Sequence, residues 1–157
     1  MDFTLLARVV HIVCVVLWIG GVSMVTTVMI PVFKNMPRDV DGLKTFHAIE
    51  KRFAAQARVT TLLTAMSGVI MLEMTHSWSR FLDPGNWWLY GMVTIWVLFS
   101  IMLFIIEPFV LPRVVAKLSP SSTRNIFPAM LLLHIVLLAG SLITIAGAVS
   151  GSHGGLF

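Results

Sequence analysis

His11-Ile12-Val13-Cys14-Val15-Val16-Leu17-Trp18-Ile19-Gly20-Gly21 puts an imidazole, a thiol, an indole and a glycine pair into a run that is otherwise hydrocarbon. The apolar stretch around it extends from Phe3 to Val32, with Arg8 as its one charged residue. That is long enough for a helix to cross about 30 Å of bilayer hydrocarbon, which takes about 20 residues. Ionisable groups at membrane depth are costly, so His11 reads as a residue with a task.

Three further apolar segments follow, approximately Phe53 to Met74, Trp87 to Leu111 and Ile126 to Val149. The composition agrees: 57% of residues are hydrophobic and 11% charged, with a mean hydropathy of +0.92, far from a soluble balance. Backbone in lipid must satisfy its own hydrogen bonds, and no segment alternates polar with apolar residues, so the spans are helices rather than barrel strands. The expected fold is all-α, a single integral membrane four-helix bundle over residues 1–157 in a lipid bilayer. Asp2 precedes the first run and no basic region opens the chain, so the first span is expected to stay in the mature protein. The single Cys14 has no partner for an intrachain disulfide.

The net charge of +4 does not point to nucleic acid, because the basic residues gather between the spans. Lys34, Arg38, Lys44, Lys51 and Arg52 follow the first span, and Arg113, Lys117 and Arg124 the third; only Arg8 and Arg80 lie on the other side. This asymmetry places both of those connections in the cytoplasm and both termini outside. Trp78, Trp87, Trp88 and Tyr90 would then form an outer aromatic belt. In the first connection Leu43, Phe46, Ile49 and Phe53 have helical spacing, with Asp41 as N-cap, so a short amphipathic cytoplasmic helix is expected to lead into the second span, with His47 an interfacial side chain. Pro31, Pro108 and Pro112 fall near span ends, where a missing N–H is tolerable. The tail from Ser150 is expected to be mobile.

Thr61, Thr64 and Gly68 share a stripe on the second span, and Gly140, Thr144, Gly147 and Gly151 on the fourth. Small residues so spaced face neighbouring helices, or make room for a flat cofactor. Laid out by helical rise, His11 and His76 reach a similar outer level, with Met71 and Met74 nearby, while His134, Met24, Arg58 and Glu107 lie on the inner half. His11 and His134 differ by roughly 15–20 Å in depth, too far to ligate one haem. His11 shares a face with Val15, Trp18, Val22, Val25 and Met29, whereas Met24 is about 220° away. On the second span Arg58, Leu62, Ala65, Val69 and His76 share a face. Each of these residues also has a plainer reading: the histidines as hydrogen-bonding helix contacts, Arg58 as a snorkelling anchor, the ten methionines as gap-fillers.

The His11…Trp18-Ile19-Gly20-Gly21 run, the Ile49-Glu50-Lys51-Arg52-Phe53 approach to a Thr/Gly-rich second span and the four-span layout resemble the copper-resistance D (CopD) membrane family and its relatives, the HemJ-type protoporphyrinogen oxidases. Val22-Ser23-Met24 stands where the HemJ type carries a Tyr-Leu-Pro-Arg-like run. The resemblance implies a bacterial inner-membrane protein, with haem b in one branch and copper uptake in the other, and matches His11 to the family's first-span histidine.

Three functions are thus open. The first is a b-type haem protein moving electrons from quinol or another membrane donor, a membrane oxidoreductase with cofactor and metal ligands at His11, His76 and His134, and with Met24 and Arg58 beside them. The second is a copper-handling protein using His11, Cys14 and methionines. The third is a non-catalytic membrane subunit. With no CxxCH sequence, any haem would be held non-covalently. Nothing resembles a phosphate loop or hydrolase triad, so no catalytic residue is assigned.

Overall fold

The computed structural model describes residues 2–35, 40–110, 113 and 126–152. Its helices are α1 (Phe3–Met24), α2 (Ile30–Asn35), α3 (Val40–Met74), α4 (Trp87–Ile101) and α5 (Ile126–Ser152). Asp2 starts α1, its carboxylate accepting the Thr4 N–H at 3.0 Å, which satisfies one of the free donors of a helix N-terminus. Four stretches are long and apolar enough to cross a membrane: Phe3–Val32, Ala48–Met74, Pro84–Val110 and Pro128–Gly151. This is a multi-pass membrane chain, helical throughout with no strand among the described residues.

The largest departure from the sequence reading is at the start of the second span. The second span begins at Ala48 rather than Phe53, because α3 runs unbroken from Val40. The helix expected ahead of the span is the first part of α3 and leads straight into it, while Asp41 lies inside the helix instead of capping it. The side chain of His47 and the tail beyond Ser152 lie outside the described residues.

Proline shapes two of the rods. Val25–Met29 and Met102–Val110 are wound as π-helix, the first just before Pro31 and the second containing Pro108. A proline ring has no N–H and collides with the carbonyl four residues earlier, and a wider turn relieves that clash. At the end of the first segment the Ile30 N–H reaches back five residues to the Val25 carbonyl.

Two antiparallel pairs make up the bundle. Along α1 and α3, His11 sits level with Thr64 and Gly68, and Gly21 level with the Phe53 ring. Along α4 and α5, Gly91 meets Thr144, Ile95 meets Gly140, the Trp87 ring covers Gly147 and the Trp88 ring covers Gly151. Lipid tails are as apolar as leucine, so close packing and interhelical hydrogen bonds must hold these pairs together. The two small-residue stripes supply that closeness. Thr60, Thr61, Thr64 and Ser67 are buried on α3, and the hydroxyls of Thr60, Thr64 and Ser67 bond back to carbonyls of their own helix. The Arg58 face does not turn inward in full, since Leu62 and Val69 are exposed; the small hydroxylated face packs more closely than a branched one would.

The pairs join at Trp18, Ile19, Val22, Phe99 and Leu137. Trp18 and Phe99 meet edge to face at 5.0 Å and 83°, and the Trp96 indole N–H donates to the Thr61 carbonyl at 2.9 Å. Of the expected aromatic belt, Trp78, Trp87 and Tyr90 are exposed, but Trp88 is buried in the α4–α5 contact. Tyr90 Oη donates to the Phe81 carbonyl, tying the 75–86 connection to α4.

Candidate functional site

His11 projects from α1 onto α3, where the missing side chain of Gly68 makes room for the ring: a Cβ there would stand 3.4 Å from His11 Cε1. His11 Nδ1 lies 2.9 Å from the Thr64 carbonyl and 3.1 Å from Ser67 Oγ. A carbonyl only accepts, so the ring proton is on Nδ1 and the lone pair is left on Nε2. The arrangement recurs at His134, a buried residue of α5 whose Nδ1 donates to the Met130 carbonyl at 2.8 Å. Neither Nε2 has a hydrogen-bond partner among the described residues. Thr64 and Ala54 mark the two levels on α3, ten residues apart, which puts the imidazoles about 15 Å apart along the bundle.

His134 faces a cavity of about 120 Å³. Around it stand Met29, Met102 and Met130, the carboxylates of Glu50 and Glu107, and the Phe53 ring. Both π-helical segments form part of the wall. Behind Glu107, Arg58 Nη2 pairs with its carboxylate at 3.2 Å, and Arg58 Nε donates to the Leu103 carbonyl at 3.2 Å. In a π-turn that carbonyl would take its hydrogen bond from residue 108, and Pro108 has none to give. Arg58 therefore stands in for the missing N–H as well as balancing Glu107.

The other residues picked out from the sequence lie elsewhere. His76 is exposed and follows the end of α3 with φ of 49°. Its N–H reaches the Glu73 carbonyl, and that of Ser77 the Leu72 carbonyl, the pair of bonds that closes a helix when one residue turns left-handed. His76 thus acts as a helix cap, about two turns beyond the level of His11, and the expected His11–His76 pairing is not formed. Glycine takes that φ without a Cβ penalty, so His76→Gly should raise stability by about 0.5–1 kcal/mol and leave bound cofactor unchanged; thermal unfolding in detergent checks it. Met24 is 56% exposed and is not among the residues that line the His134 cavity. The methionine of α1's continuation that reaches the cavity is Met29, which the sequence places on the His11 face without giving it a ligand role. Cys14 is a buried free thiol. Among the described residues no three His, Cys, Asp or Glu side chains gather as a metal-ion group would.

Comparison with protein-family profiles, with curated proteins and with solved structures finds no match for the chain.

Proposed function

We propose that the chain is a membrane-embedded haem b protein that transfers electrons within the bilayer, with His11 as an iron ligand. The observation that carries the reading is the anchoring of His11 Nδ1 on the Thr64 carbonyl and Ser67 hydroxyl. Histidines that bind metal almost always commit their second nitrogen in this way, which fixes both tautomer and ring plane. A porphyrin brings four nitrogens of its own, so one oriented imidazole suffices where a bare ion would need several side chains. The chemistry such a group supplies when bound is one-electron transfer. Thr64 and Ser67 hold the ring, and the Trp18–Phe99 layer next to it in the bundle excludes water. Arg58 is engaged by the Glu107 carboxylate. The resemblance of the His11 run to the HemJ-type branch supports the same reading.

The basic residues between the spans support an orientation with both termini outside, on the periplasmic side of a bacterial inner membrane. His11→Ala should lower haem per protein at least tenfold in detergent-purified material, since it removes the ligating nitrogen. Haem content unchanged in a folded His11→Ala variant would refute the assignment.

A second reading is favoured by one observation. The Met29, Met102 and Met130 thioethers and the His134 imidazole line a single cavity, and soft donors of this kind select Cu(I). On that reading the protein handles copper, and one equivalent of Cu(I) would bind and be lost in Met29→Leu and His134→Ala.

A further inference from the structure

We propose that the cavity beside His134 binds the ring of a membrane hydroquinone, a site that stands independently of iron at His11. Size is the first argument. At about 120 Å³ the cavity is close to the roughly 150 Å³ engineered cavity that takes up benzene, so it has room for one six-membered ring. Polarity is the second. His134 Nε2 is a lone pair without a partner among the described residues, on a residue only 8% exposed, and Glu107, ion-paired with Arg58, lines the same cavity. Both are hydrogen-bond acceptors. Two acceptors on an otherwise apolar wall call for an apolar ring that donates, and a hydroquinone carries O–H groups on opposite edges of one ring, whereas the oxidised quinone offers only carbonyls.

Access is the third argument. Ile106 and Leu133 on the rim are exposed to the bilayer side of the bundle, which leaves an apolar exit for an isoprenoid tail. The backbone adds a fourth, because π-turns frequently mark functional sites and here two of them, from different helices, face the same space.

The test is an anaerobic calorimetric titration of the full chain in lipid nanodiscs with decyl-ubiquinol, and separately with decyl-ubiquinone. Saturable binding at one site is expected, with the quinol at least fivefold tighter than the quinone. His134→Ala should weaken quinol binding about tenfold, the effect of one lost hydrogen bond at the upper end of its range. Ala54→Leu keeps His134 but fills the wall from a residue 4% exposed, and should abolish binding; circular dichroism melting confirms that each variant is folded. Absence of saturable binding would overturn the proposal, as would equal quinol affinity in the wild type and both folded variants. So would stoichiometric Cu(I) binding that depends on His134 with no binding of quinol. The absorption spectrum of any haem at His11 is read in the same samples, so failure of one site is distinguishable from failure of the other.

Discussion

Replacing Phe99 with alanine is expected to destabilise the bundle by about 2–3 kcal/mol. In a soluble protein the loss would be larger, but lipid tails solvate an exposed apolar side chain about as well as the protein core does, so the transfer part drops out. What remains is the cavity: roughly 100 Å³ of lost side chain at about 24 cal/mol per Å³ gives about 2.4 kcal/mol. Phe99 is 1% exposed and packs edge to face on Trp18, so neither neighbouring helix can relax into the gap without giving up other contacts. Unfolding by a denaturing detergent measures the loss; a change below about 0.5 kcal/mol would show that the joint between the two helix pairs lies elsewhere.

Arg58→Ala has the second large effect. Removing one partner of a buried ion pair costs about 3–5 kcal/mol because the other charge is stranded. At 34% and 27% side-chain exposure this pair is only partly buried, which brings the expected loss to about 2–3 kcal/mol. Part of that loss is not electrostatic. Arg58 also satisfies the Leu103 carbonyl, left without an N–H by Pro108. In a Pro108→Ala background that carbonyl regains a backbone donor, so Arg58→Ala should cost about 1 kcal/mol less there. Strict additivity of the two substitutions in a double-mutant cycle would contradict this division of labour.

Those two positions show what was legible in the sequence. The four spans could be read because hydropathy and length are sufficient for a helix in lipid. The Thr61–Gly68 and Gly140–Gly151 stripes could be read because small residues have little other use at an apolar interface. The separation of His11 from His134 followed from helical rise alone. The π-turns were not legible, since Pro31 and Pro108 mark a disturbance without saying whether the helix bends, ends or widens. That Met29 rather than Met24 reaches the cavity agrees with their places round the first span, Met29 on the His11 face and Met24 about 220° from it. His76 was misjudged for a different reason: an imidazole beyond the last helical turn resembles a ligand in sequence, and only its positive φ shows that it caps α3. Which nitrogen of a histidine is committed is a fact of tertiary structure, and at His11 and His134 it is the fact on which the functional reading turns.

That reading makes Nε2 of His11 an iron ligand, and the reduced-minus-oxidised visible spectrum of the purified wild-type protein tests it most directly. The expected result is a Soret band with resolved α and β bands of a b-type haem, at about one haem per chain. A colourless preparation, folded by circular dichroism and unchanged after incubation with haem, would contradict the account.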